Sequence, residues 1–202
     1  MNVRVYKPLL FAACLLPVIW LALRIAGVVE PGLGANPAEE IQDELGVWAL
    51  RLLLVTLCVT PAARLLKKPR LYRFRRMLGL FAFFYCTLHP LAYFLLDLQL
   101  DFAHLGEDLL KRTFITVGMG AVLLLIPLAI TSTRGWQRRL GRRWNRLHRL
   151  IYPAAILACW HFYWQVKADT IEPLVYCAIL ALLLGMRFWW SPLKGRLFPG
   201  GK

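Results

Sequence analysis

Three histidines, His89, His148 and His161, stand inside or at the mouth of long apolar stretches of this 202-residue chain. An imidazole in hydrocarbon is expensive unless something binds it, and an ionisable group at that depth marks a site of function. A neutral imidazole keeps one nitrogen lone pair and so is a metal ligand; two facing imidazoles supply both axial ligands of a haem iron. The competing reading is packing, with each ring hydrogen-bonded to a neighbour in the core. Which one applies depends on whether the elements carrying these rings hold two of them at one level.

Those elements read as membrane spans. Hydrophobic residues make up 59% of the chain and the mean hydropathy is +0.54, where soluble domains run at roughly 45–50% apolar. Crossing a bilayer core of roughly 30 Å takes about 20 apolar residues. Six stretches are read as spans: 8–29, 45–63, 77–97, 110–131, 150–166 and 173–190. The expected fold is an all-α integral membrane protein, a single bundle of six transmembrane helices over residues 1–202. Each helix satisfies its own backbone because lipid offers no partner. The first stretch exceeds the apolar region of a cleaved signal, about 7–15 residues, and reads as a retained anchor.

Charge orients the bundle. With the N-terminus in the cytoplasm, all of the 25 basic residues except Arg24, Arg51, Lys111, Arg112 and Lys167 fall on that side, and all 11 acidic residues fall on the other. This is the positive-inside pattern, with both termini cytoplasmic. The net charge of +14 is therefore chiefly a topology signal. It fringes membrane spans and accompanies no nucleic-acid module, so nucleic-acid binding is excluded as a reading. The five cysteines all lie in apolar runs without paired spacing and read as small packing residues.

Depth can now be counted. His89 comes 13 residues after Arg76 and His161 12 after Arg149, so both lie about 18–20 Å from the cytoplasmic edge at 1.5 Å per residue. The pair is matched in depth, as a bis-histidine haem requires. His148 lies about 20 Å from His161 along the axis, at the cytoplasmic mouth, with Pro153 available to kink the segment between them. A ligand opposite His148 would come from position 75 or 76, and both are arginine. A second haem with another ligand, a flavin contact and an interfacial histidine all remain open for it. His104, among outer acidic residues, reads as solvated.

Other groups read less sharply. Arg51 would suit a haem propionate, a quinone oxygen or a flavin phosphate, or snorkel to the outer interface; Arg24 reads as snorkelling. Gly118 and Gly120 form a GxG inside an apolar helix, which points to close helix packing rather than dinucleotide binding. Residues 135–149 read as one interfacial helix, with Trp136, Leu140, Trp144, Leu147 and Ile151 recurring on one face and arginines on the others, lying on anionic lipid or else docking an acidic electron donor or holding a flavin phosphate. Trp160, Tyr163 and Trp164 suit an aromatic interface belt, or packing against an outer porphyrin.

Several motifs then form an ordered set: W-A-L-R-L-L-L at 48–54 with T-P at 60–61, R-R-M-L-G-L at 75–80, F-F-Y-C-T-L-H-P at 83–90, I-T-S-T-R-G-W at 130–136, L-G-R-R-W-N-R-L-H-R-L-I-Y at 140–152 and W-H-F-Y-W at 160–164. In this the chain resembles the haem-binding membrane subunit of the bacterial periplasmic protein-methionine-sulfoxide reductase system, a small relative of the ferric reductase transmembrane domain. The resemblance implies b-type haem, one or two, on His89, His161 and His148, with FMN also attributed to the family. It implies electron transfer across the bacterial inner membrane, from the quinone pool or a cytoplasmic flavin reductase to a periplasmic molybdopterin-containing reductase that repairs oxidised methionines. The reduction itself then belongs to the partner, and this chain is an electron-transfer subunit. No flavin and nicotinamide domain is expected after the last span. The rival readings are a ferric or other metal reductase on the same scaffold, and a haem-free permease or assembly factor.

Overall fold

The computed structural model describes residues 3–166 and 170–197, with side chains described for 5–101, 105–166, 170–187 and 189. His104, Lys167 and Asp169, read above as outer-side groups, fall outside the described side chains. Every regular element among the described residues is helical: α1 (Val3–Ile25), α2 (Pro37–Leu65), α3 (Tyr72–Ala92), α4 (Phe102–Lys111), α5 (Thr113–Ile130), α6 (Arg134–Leu140), α7 (Arg142–Leu147), α8 (Ile151–Gln165) and α9 (Ile171–Leu197). Among the described residues, four stretches are long and apolar enough to cross a membrane on their own: Val5–Ile25, Pro37–Leu65, Pro69–Asp97 and Thr113–Ile130.

The boundaries differ from the sequence reading for local reasons. α2 starts eight residues before 45, because Asn36 caps it by accepting from the Glu39 amide, Pro37 opens it, and Glu39 and Glu40 face the positive end of its dipole. The stretch read as 110–131 is two helices. α4 ends at Lys111, Arg112 leaves the helical region at φ −111° and ψ 80°, and α5 starts afresh at Thr113. α3 gives way to a π-helical turn, Tyr93–Asp97, soon after Pro90. α8 has only 15 residues, preceded by the 3₁₀ turn His148–Leu150, and Pro153 falls in its first turn, where a missing amide costs nothing. α9 runs on to Leu197, past the span end read at 190.

The interfacial helix read over 135–149 is a correction. It is broken at Gly141, whose φ of +50° ends α6 and starts α7; a side chain would strain that backbone. Trp144 turns inward, its indole donating to Thr131 O at 2.9 Å, while Trp136 stays partly exposed beneath the Arg139 guanidinium.

α2 is the central element: 56% of its apolar window is buried, against 11% for α1. The most extensive pairings are α2 with α3 and α5 with α8, and alanines make the close approach possible, Ala82 on α3 and Ala154 and Ala155 on α8 being fully enclosed. Two contacts with α3 help to hold α1 at the edge. Phe11 meets Phe81 edge to face at 5.0 Å. The buried Tyr85 hydroxyl donates to Cys14 O at 2.8 Å and accepts from the Val18 amide at 3.1 Å, between two groups that an unbroken helix would pair with each other.

Candidate functional site

His89, near the end of α3, and His161, near the end of α8, come together: their ring centres lie 6.0 Å apart with planes inclined at 72°. His89 Nδ1 is 2.9 Å from Gln42 O on α2, and His161 Nδ1 is 2.7 Å from Phe114 O on α5. A carbonyl only accepts, so each Nδ1 carries the hydrogen, and in the neutral ring the lone pair sits on Nε2. This is how a ligating histidine is prepared: one nitrogen is anchored to the protein, and the other is turned over to a metal.

Two glycines seat these rings. A Cβ at Gly118 would stand 2.8 Å from His161 Nδ1, and one at Gly46 would stand 3.1 Å from His89 Nδ1. The rings face a cavity of about 410 Å³, apolar in its body (Leu50, Leu53, Leu125, Phe162) and polar at its mouth, where Glu39, Asp43, Asp97 and Gln165 lie. Gln42 bridges to Asp97 at 3.1 Å and Gln165 to Asp43 at 2.9 Å, so the mouth is laced across helices.

A haem fits this donor set. With metal–nitrogen bonds of about 2 Å and about 1.1 Å from ring centre to nitrogen, two imidazoles on opposite sides of one metal have centres about 6 Å apart. The observed separation is the same. Among the described residues, no three His, Cys, Asp or Glu side chains gather around one point where a bare ion could bind. Two imidazoles alone under-coordinate a metal; a porphyrin would supply the remaining ligands that the protein does not.

His148 is elsewhere. Thr131 Oγ1 spends its hydrogen on Pro127 O at 2.6 Å, so it accepts from His148 Nε2–H at 3.1 Å. The imidazole stacks on Trp144 with ring centres 3.9 Å apart. Burial, and then the nearby Arg75 charge, lower its pKa and favour the neutral ring. Its Nε2, the nitrogen that His89 and His161 keep open, is therefore engaged with α5.

Arg51 is not on the cavity wall. It donates from Nε to Tyr176 Oη at 2.7 Å, lies 3.6 Å from a Glu172 oxygen and covers the Trp48 ring, joining α2 to α9. Arg24, at the end of α1, is tied down by the chain itself. It bonds Pro31 O, Gly32 O and Glu40 and is nearly buried, folding the α1–α2 loop around itself. Trp160, Tyr163 and Trp164 are each close to half exposed, as an interface belt requires, and Phe162, not they, lines the cavity.

The sequence reading missed Gln42, Gly46 and Phe114 altogether and gave Gly118 only a packing role. Gln42 and Phe114 act through backbone carbonyls, which leave no mark on residue type. Two glycines in apolar helices were the only visible trace.

A family model described as a ferric reductase-like transmembrane component matches residues 45–159, a stretch that takes in His89 and His148 and stops two residues short of His161. The protein-methionine-sulfoxide reductase heme-binding subunit MsrQ of Xanthomonas axonopodis pv. citri is 53% identical over 186 residues, spanning 91% of this chain and 85% of that protein. The subunit of the same name from Xanthomonas oryzae pv. oryzae is 52% identical over 191 residues, 93% of this chain and 88% of its own length. That of Caulobacter vibrioides is 54% identical over 183 residues, 90% and 85% respectively. No solved structure matches the chain.

Proposed function

We infer that, because this chain belongs to the ferric reductase-like transmembrane family and within it to the haem-binding subunits of protein-methionine-sulfoxide reductase, it conducts electrons across a membrane through one b-type haem held between His89 and His161. The observation that carries this reading is the pair of imidazoles 6.0 Å apart, each with Nδ1 tied to a carbonyl of a different helix. A haem bound there supplies reversible one-electron chemistry. The protein's own part is to fix both rings, to surround them with apolar side chains that keep water out, and to open the cavity towards the acidic ends of α2 and α3.

In this reading α8 and α9 join the four long apolar helices to make six spans in the bacterial inner membrane, with both termini in the cytoplasm, as the basic residues of α6, α7 and the α2–α3 turn favour. The site is then nearer the outer face, and electrons leave to a periplasmic molybdopterin-containing reductase that restores oxidised methionines. They enter from quinol or from a cytoplasmic flavin reductase. The chain is a conduit, and the partner performs the reduction.

The test is direct. Purified chain should give the reduced-minus-oxidised spectrum of a low-spin b-type haem, and the reduced protein should be reoxidised by the partner reductase faster than by ferric chelates. A colourless preparation favours a haem-free permease or assembly factor; faster reoxidation by the chelates favours a metal reductase. His148→Ala is expected to leave haem content and spectrum unchanged, because its Nε2 is committed to Thr131. A pyridine haemochrome count that falls in this variant assigns a haem to His148 instead.

A further inference from the structure

The site is built twice from the same parts. Donor and acceptor are 47 residues apart in both histidine–carbonyl bonds. The glycine that meets each ring comes four residues after the accepting carbonyl, Gly46 after Gln42 and Gly118 after Phe114, and residues at that spacing share a helix face. An offset of 72 carries Gln42, Gly46 and His89 onto Phe114, Gly118 and His161. It also carries Leu53 and Ala82 onto Leu125 and Ala154, all four buried. Both halves run in the same sense: α2 and α5 begin beside the rings, and α3 and α8 end there. The two halves are thus related as a parallel repeat, with one imidazole contributed by each.

From this we propose that Gly46 and Gly118 are positioning residues for the axial imidazoles, a matched pair of notches that fixes each ring plane while the carbonyl one turn earlier holds its Nδ1 proton. The assignment rests on the haem reading above. A carbonyl contact alone leaves a ring free to swing about the Nδ1–oxygen line; the bare glycine surface removes that freedom by contact. At Gly118 no Cβ fits unless the His161 ring moves, since it would meet Nδ1, Cε1 and Cγ at 2.8–3.0 Å. At Gly46 a few tenths of an ångström suffice, the approach to His89 being 3.1 Å. Plane orientation has an electronic readout. A haem held between these rings would report, in its ferric low-spin resonance, how the two ring planes are set, here 72° apart, and turning either ring would change that signal.

Full-length Gly46→Ala and Gly118→Ala are compared with wild type and with Gly120→Ala. The last is a control on the same helix, where a Cβ would make an ordinary 3.5 Å contact with Leu157. The measurements are haem per chain, ferric electron paramagnetic resonance and midpoint potential. Gly118→Ala is expected to weaken haem retention about 10-fold or more and to displace the largest g value in whatever haem remains. Gly46→Ala should keep most of its haem with a shifted g value and potential, and Gly120→Ala should match wild type. If Gly118→Ala does not purify as a single species, Gly46→Ala decides. Haem-loaded Gly46→Ala and Gly118→Ala with wild-type g values and potential overturn the glycine assignment alone. A wild type that binds no haem overturns the reading on which it rests.

Discussion

His89→Ala and His161→Ala are each expected to erase the low-spin haem spectrum and to lower electron delivery to the partner reductase by at least about 100-fold, since loss even of a ligand's outer-shell support costs 10–100-fold in metal affinity. The two variants should behave alike. Each ring is anchored through Nδ1 to a carbonyl of the neighbouring helix, so neither is a spare ligand that the other could replace. The fold should survive, because each deleted imidazole borders a cavity that is already open and leaves behind only one backbone carbonyl to be resatisfied. Helical content by circular dichroism and elution as a single species separate a lost ligand from a lost fold. His161→Met adds a signed check. A thioether keeps one axial bond and raises the potential relative to a second imidazole, so haem retained at a higher midpoint potential is the expected result. An alanine variant at either position with the full wild-type spectrum removes that histidine from the site.

The depth match between His89 and His161 was legible because helices convert residue counts into distance. Starting from the basic boundaries at Arg76 and Arg149, a fixed rise per residue was enough. The same counting could not show what holds the rings, since Gln42 and Phe114 contribute only backbone oxygen and lie on other helices. Gly118 shows the limit well. Its place in an apolar helix correctly signalled close approach, but to an imidazole rather than to a backbone. Periodicity failed at Gly141 for a different reason: the apolar stripe continues on both sides of it, so a break by one positive-φ residue leaves the pattern intact. For Arg24, the sequence shows a cation near a helix end, while its partners are carbonyls of Pro31 and Gly32 that exist as a group only after the loop has closed. Residue type and spacing thus reported which two imidazoles meet, and the backbone that holds them became visible only in three dimensions.

Tyr85 should separate packing from hydrogen bonding in the same bundle. Its side chain, on α3, is fully enclosed in the core and reaches α1 through its hydroxyl. Tyr85→Ala is expected to destabilise the protein by about 2–3 kcal/mol, below the roughly 3–5 kcal/mol of an aromatic truncated in a water-soluble core. The reduction follows from the reference state: a helix released into lipid keeps apolar surroundings, so the transfer part of the loss largely disappears and the cavity part remains. Tyr85→Phe removes only the hydroxyl. Interhelical hydrogen bonds in membranes contribute about 0.6 kcal/mol on average. The two groups that the hydroxyl serves, Cys14 O and the Val18 amide, stand four residues apart and can re-form a helical bond with each other. A cost of about 0.5–1 kcal/mol is therefore expected, with α1 straighter and less firmly docked. Unfolding in mixed micelles measures both values, and protease accessibility of the α1–α2 loop reports the docking. Equal losses in the two variants would mean that the Tyr85 hydroxyl, not its ring, holds α1 to the bundle.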